Sequence, residues 1–324
     1  MRTEVLWVTA PNKIEIGPEE LSSPESNELQ IETKAVGICA WDSYLYRGMD
    51  VPGPFPYRIG HEGVGVVINK GRDVKGFNIG DKVFAGTGGD KMMARHFNVA
   101  YDCVAKIPHD EIDYSKWVGE PVVCVVNILN MAKIQPGDSI ALIGAGYMGL
   151  LTLQGLVSGS QSGEINVFDV EEDRLNIARK YLPNNCFNPS TKKGLERILE
   201  IQLKGGANVV IEFAGTQSSL DLATSMTANE EGKLVIGSWH RGSRSFNGTR
   251  WHTTGLQVLN LAPKSNSHFK YLTPRAATLI NKGVYDTKDL VTHVARFDEI
   301  ETINDIFKKS IKKTDGYIKG VILF

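Results

Sequence analysis

The chain has 324 residues, a length that suggests about two domains, and its 36 Lys+Arg against 37 Asp+Glu give a formal net charge of -1. That balance supplies no bulk attraction to nucleic acid or anionic lipid, while 42% hydrophobic and 23% charged residues describe a folded globule rather than a disordered chain. No signal-peptide-like apolar run opens the sequence, no stretch of about 18 apolar residues follows, and the four Cys (39, 103, 124, 186) are too scattered for a disulfide framework; a cytoplasmic chain with no membrane span is expected.

TEVLWV, NKIEIG and LQIETKAVGIC read as strands, followed at short spacing by GVGVVINK, DKVFAG and ARHFNVA. VPGPFPY, at 51–57, holds three Pro and one Gly and reads as a rigid loop. The first part of the chain therefore reads as a twisted, partly closed antiparallel barrel. SKWVGEPVVCVVNILNMAKI then predicts a helix with Pro121 near a break. Next come the strand SIALIG, the helix GAGYMGLLTLQGLVSG, the strand EINVFDV and the helix EEDRLNIARKYL, and the alternation continues through ANVVIEFAG, TQSSLDLATSMT and GKLVIGSW. Apolar strands alternating with helices indicate parallel βαβ units with helices on both faces. The last segments, TPRAATLINKG, DLVTHVARF, DEIETINDIFKK and GYIKGVIL, could extend that sheet or return to the N-terminal barrel. Pattern alone leaves both open.

Residues 144–149, Gly-Ala-Gly-Tyr-Met-Gly, follow a strand and open a helix, the context a dinucleotide fingerprint needs. Gly144 would permit the tight turn, Gly146 the approach of a pyrophosphate to the helix N-terminus, and Gly149 close helix–strand packing. Tyr147 and Met148 count with them as cofactor-binding residues. Asp169, twenty residues beyond Gly149, would accept from a ribose 2′-OH and repel a 2′-phosphate, so NAD is expected over NADP. Arg174 could lie over the adenine.

Cys39, Asp42, His61, Glu62 and Glu120 form a second constellation. Thiolate, imidazole and carboxylate all bind Zn²⁺, and three protein ligands with an open fourth position make a catalytic site. Their spacing is not compact. Individually, Cys39 also reads as a buried thiol and His61 as a turn histidine.

Taken in order, GICAWDSYLYRG, GHEGVGVV, NIGDKVFA, GEPVVCVVN and IGAGYMGL resemble the zinc-containing medium-chain dehydrogenase/reductase superfamily, and most closely its alcohol and polyol branch of sorbitol and threonine dehydrogenases. The resemblance covers essentially the whole chain, including THVARFDEI and GYIKGVIL. It implies an α/β protein with a β-rich GroES-like catalytic domain over 1–122, a Rossmann-type doubly wound parallel sheet binding NAD over 123–265, and a return of 266–324 to the catalytic domain. It implies one catalytic zinc held by Cys39, His61 and Glu120, with Glu62 as the alternative carboxylate and Asp42 orienting His61. Three departures stand out. GDKVFAGTGGDKMMARHF runs without Cys where many relatives hold a structural zinc, so no structural zinc is expected. Trp41 replaces the usual Ser or Thr of the proton relay. Tyr44 replaces a frequent His. Ser43, Tyr44 or water held by Glu120 could carry the proton instead.

Trp41 reads either as core packing or as a pocket wall against a sugar or cyclitol ring. WHRGSRSFNGTRWH (239–252) reads as a solvated loop, or as a substrate-contacting loop whose Arg residues hint at a phosphorylated or acidic substrate. Cys103, Cys124 and Cys186 read as packing residues, and KKSIKKTDG (308–316) as a solvated helix end. The implied function is zinc- and NAD-dependent oxidation of a secondary alcohol of a polyol, sugar or cyclitol. The alternatives are a zinc-free reductase of activated alkenes or quinones and a non-catalytic NAD-binding protein. The expected partners are a small-molecule alcohol and further copies of the chain, as a homodimer or homotetramer, with no nucleic acid or membrane.

Overall fold

The computed structural model describes all residues except 50–52, 87–90, 109–112, 160–161, 183, 263–265 and 267–268. The chain divides into two compact units, Met1–Val123 with His268–Phe324, and Cys124–Ser267. No helix among the described residues is long and apolar enough to cross a membrane.

The first unit begins with β1 (Arg2–Ala10), β2 (Lys13–Glu20), β3 (Glu28–Ile38), α1 (Ala40–Tyr46), β4 (Tyr57–Arg58), β5 (Glu62–Lys70), β6 (Lys82–Ala85), β7 (His96–Ala100) and β8 (Val104–Lys106). β1 lies between β2 and β4 in a three-stranded sheet. β3 pairs antiparallel with both β5 and β7 and is buried over most of its length. Helix α1 was not expected: the sequence pattern ends a strand at Cys39 and marks no element after it, yet Asp42 accepts from the Cys39 N–H and starts a helix there. Of the proline-rich loop, 51 and 52 lie outside the described residues, 53–56 bend, and Tyr57 opens β4.

Helix α2 (Glu120–Ala132) contains Pro121 in its first turn. A proline there forfeits no intrahelical bond, so Pro121 starts the helix instead of breaking it, contrary to expectation. The second unit then runs β9 (Ile140–Ile143), α3 (Tyr147–Ser158), β10 (Ile165–Phe168), α4 (Glu172–Ala178), β11 (Cys186–Phe187), α5 (Lys192–Leu203), β12 (Val209–Glu212), α6 (Gln217–Met226), β13 (Lys233–Ile236), α7 (Gly248–Thr253) and β14 (Gln257–Asn260). All six strands pair in parallel in the order β11-β10-β9-β12-β13-β14, a Rossmann-type sheet whose order reverses between β9 and β12. β9, β10 and β12 are buried throughout.

The C-terminal segment supplies α8 (Thr273–Asn281), β15 (Val291–Arg296), α9 (Ile300–Lys312) and β16 (Lys319–Leu323). β16 pairs antiparallel with β3, Gly320 opposite Ile38, and parallel with β15, so this segment joins the first unit's sheet in the order β15-β16-β3-β5-β6-β8. α9 buries Ile303, Ile306 and Phe307, and Phe307 stacks on Tyr46 of α1 with ring centroids 4.8 Å apart. Each such buried side chain contributes about 1.5–3 kcal/mol, which holds the C-terminal segment onto the elements that carry Cys39 and His61.

Candidate metal centre and dinucleotide turn

Cys39 ends β3 and caps α1, while His61 and Glu62 stand where β5 begins. Adjacent antiparallel pairing of β3 and β5, Gly37 opposite Glu62, brings these residues together. One ligand atom each from Cys39, His61 and Glu62 lies within 4.8 Å of the others. Glu120, the third ligand implied by resemblance, is buried at the start of α2 but is not in that group. Glu62 is. A sulfur, a nitrogen and a carboxylate oxygen converging in a partly buried position fit zinc.

Asp42 is fully buried and organises the cluster. Its Oδ2 accepts from the Cys39 N–H at 2.9 Å, its Oδ1 accepts from the Gly60 N–H at 3.0 Å, and Oδ1 lies 3.6 Å from His61 Nδ1. Burial alone would lower the pKa of His61, but the charges of Asp42 and Cys39 outweigh it and hold the imidazole well above its ordinary value.

The structure adds residues that sequence reasoning missed. Lys319 of β16 forms an ion pair with Glu62 and donates to the Ile38 carbonyl at 3.1 Å. A lysine at the start of an otherwise apolar strand was the available signal. Gly37 is also required: a Cβ there would lie 1.9 Å from Glu62 Oε2. Tyr317 is buried beside the cluster, and burial together with the charges of Glu62, Cys39 and Asp42 pushes its phenol well above the usual range. The Ser43 hydroxyl meets Ser310 of α9 at 2.6 Å and the Cys39 carbonyl at 3.3 Å, so it braces α1 against α9. Trp41 is half-buried and packs against the core that includes Leu6, Tyr46 and Phe307.

In the second unit, Gly144 has φ +98° and donates its N–H to the Phe168 carbonyl at 2.7 Å. A Cβ at Gly149 would fall 1.9 Å from the Gly144 carbonyl oxygen, so helix α3 sits against the turn only because no side chain intervenes. A Cβ at Gly146 would meet nothing within 4 Å; the protein itself does not need that glycine, whereas a ligand at the end of α3 would. Tyr147 is buried and Met148 half-buried. Asp169 accepts from the Ala145 N–H at 2.6 Å and the Glu171 N–H at 2.8 Å, and lies 3.7 Å from Arg174. The acid therefore ties the end of β10 to the glycine turn. Each carboxylate oxygen retains capacity for a further donor.

Segment 239–252 is not simply a solvated loop, because α7 forms within it. Two of its arginines are engaged within the unit. Arg250 donates to the carbonyls of Thr224 and Thr227 at the end of α6, and Arg244 donates to His240 Nδ1 and the Gly215 carbonyl. Arg241 lies over the Trp239 ring at 5.4 Å. These contacts remove Arg244 and Arg250 as grounds for an acidic substrate.

Residues 25–109 match the alcohol dehydrogenase GroES-like domain. The chain is 24% identical over 356 residues to the zinc-type alcohol dehydrogenase-like protein YdjJ of Escherichia coli K12, covering 99% of both chains. It is 26% identical over 321 residues to D-xylulose reductase A of Aspergillus niger, covering 87% of this chain and 88% of that one. The structure of 2R,3R-butanediol dehydrogenase from Bacillus subtilis superposes with a TM-score of 0.81 at 21% identity, over 99% of each chain. The GroES-like match over residues 25–109, the relatives aligned along nearly the whole chain and the Rossmann-type sheet together support an oxidoreductase similar to the zinc-containing medium-chain dehydrogenases of the alcohol dehydrogenase type.

Proposed function

We propose that the protein is a zinc- and NAD-dependent dehydrogenase that oxidises a secondary alcohol of a polyol, sugar or cyclitol. The observation that carries this reading is the convergence of Cys39, His61 and Glu62 within 4.8 Å, a donor set suited to zinc. It also speaks against a zinc-free reductase. When bound, zinc would supply Lewis acidity at the substrate hydroxyl, and the nicotinamide would supply the hydride acceptor. Cys39, His61 and Glu62 would hold the metal, with Glu120 as the other carboxylate candidate. Asp42 fixes the backbone of Cys39 and Gly60, so the thiolate and imidazole are oriented before metal arrives. Trp41 has no exchangeable hydroxyl, so the substrate proton would pass to Ser43, to Tyr44 or to water held by Glu120. Gly144, Gly146 and Gly149 form the pyrophosphate turn, and Asp169 favours NAD over NADP. Similarity to D-xylulose reductase A and butanediol dehydrogenase supports the polyol class. The working form is a cytoplasmic homodimer or homotetramer.

The test is NAD reduction by zinc-loaded protein across polyols, sugars, sugar phosphates and cyclitols. Turnover concentrated on one of these classes is expected. NAD binding without turnover on any alcohol would favour a non-catalytic protein, and quinone or alkene reduction surviving chelation would favour the zinc-free reductase.

A further inference from the structure

Lys319 and Glu62 are 3% and 2% exposed. An ammonium placed so deep is costly unless its charge is met, and here Glu62 Oε2 meets it, with the Ile38 carbonyl at 3.1 Å as a second acceptor. The surrounding backbone is shaped to the pair: a Cβ on Gly37 would lie 1.9 Å from that same Oε2. Yet Glu62 also belongs to the group with Cys39 and His61. One carboxylate thus faces two claimants.

We propose that Lys319 is a positioning residue for the metal centre: its ammonium competes with the metal for Glu62, limits that carboxylate to one oxygen, and so keeps a coordination position open for substrate. This rests on the zinc reading above. Without the ammonium, Glu62 is a buried anion that has lost its counter-charge, and a divalent cation takes that place. Loss of Lys319 should therefore tighten metal binding while slowing turnover. Ordinary loss of a residue that supports a ligand weakens binding instead, by about 10- to 100-fold. The two roles differ in sign.

Metal-free full-length protein is titrated with Co²⁺ alone, read by its visible absorption. The unsubstituted chain is expected to bind one equivalent. Lys319→Met should bind at least about ten-fold more tightly, with weaker bands as coordination rises, and should turn over alcohol more slowly. In a Glu62→Gln background, Lys319→Met should leave the Kd within about two-fold, because the effect runs through the carboxylate. Unchanged or weaker binding by a folded Lys319→Met protein overturns the inference and leaves the zinc reading standing. No Co²⁺ binding by the unsubstituted chain overturns the zinc reading, and the inference with it. If Lys319→Met does not fold, lysine-selective ¹⁵N NMR of the unsubstituted protein decides: the Lys319 ammonium signal should move with one equivalent of Zn²⁺, and a signal that stays in place overturns the inference.

Discussion

Asp42 Oδ1 lies 3.6 Å from His61 Nδ1, within a carboxylate that also accepts from the Cys39 and Gly60 N–H groups. Asp42→Ala would leave both donors buried without an acceptor, at about 1–3 kcal/mol each. Thermal unfolding should show that loss, and chelator competition should show zinc affinity falling about 10- to 100-fold. Asp42→Asn, which retains one acceptor, should lose less of both. Equal zinc affinity in all three proteins would remove Asp42 from the metal centre.

The two helix-end glycines should separate a fold requirement from a ligand requirement. Gly149→Ala drives a Cβ into the Gly144 carbonyl oxygen and should lower the melting temperature. Gly146→Ala has open space and a φ of -72°, so it should cost under about 1 kcal/mol. Calorimetric titration should nonetheless find NAD binding about ten-fold weaker or worse, since pyrophosphate approach is what the missing Cβ permits. Normal NAD affinity in Gly146→Ala would move the cofactor elsewhere.

Asp169→Ala removes the acid at the ribose position together with its bond to Ala145. NAD should bind more weakly and discrimination against NADP should narrow, by about ten-fold in the ratio of kcat/KM values. Faster turnover of the unsubstituted enzyme with NADP at equal concentration would show that Arg174 or another base decides the preference.

Burial pushes the thiols of Cys103 and Cys186 up to about 11. Both should resist iodoacetamide at pH 8 in the native protein. Because the folded values lie above the ordinary 9.0, their contribution to stability is complete below that pH and is lost as pH rises towards about 11. Half-buried Cys39 should be labelled only after chelation, and metal analysis before chelation should give about one zinc per chain. A stoichiometry near two would contradict a single site.

Trp41→Ser should raise KM for a ring polyol about ten-fold, the worth of one aromatic contact, while short linear alcohols hold steady. An equal loss on every alcohol, with a lower melting temperature, would confine Trp41 to the core it touches.

The parallel-sheet half of the fold was legible because its signals are local. The apolar strand IALI, the glycine turn and the helix behind it follow one another within about twenty residues, and period and turn chemistry are read at that range. The same holds for β1 to β3. α1 was missed because its start depends on Asp42, a residue that resembles any surface acid until its carboxylate is seen turned back onto Cys39. The metal cluster was nameable only through resemblance, since 39, 61 and 62 carry no compact spacing of their own. Their convergence follows from the β3–β5 register, which sequence periodicity does not encode. Most distant of all is the closure by the C-terminal segment: β16 onto β3, Ser310 onto Ser43 and Lys319 onto Glu62 join residues more than 250 positions apart. Local pattern marks each of those segments as strand or helix, but which surface buries it is decided by the packing of the whole unit. That packing alone gives the carboxylate of Glu62 its lysine.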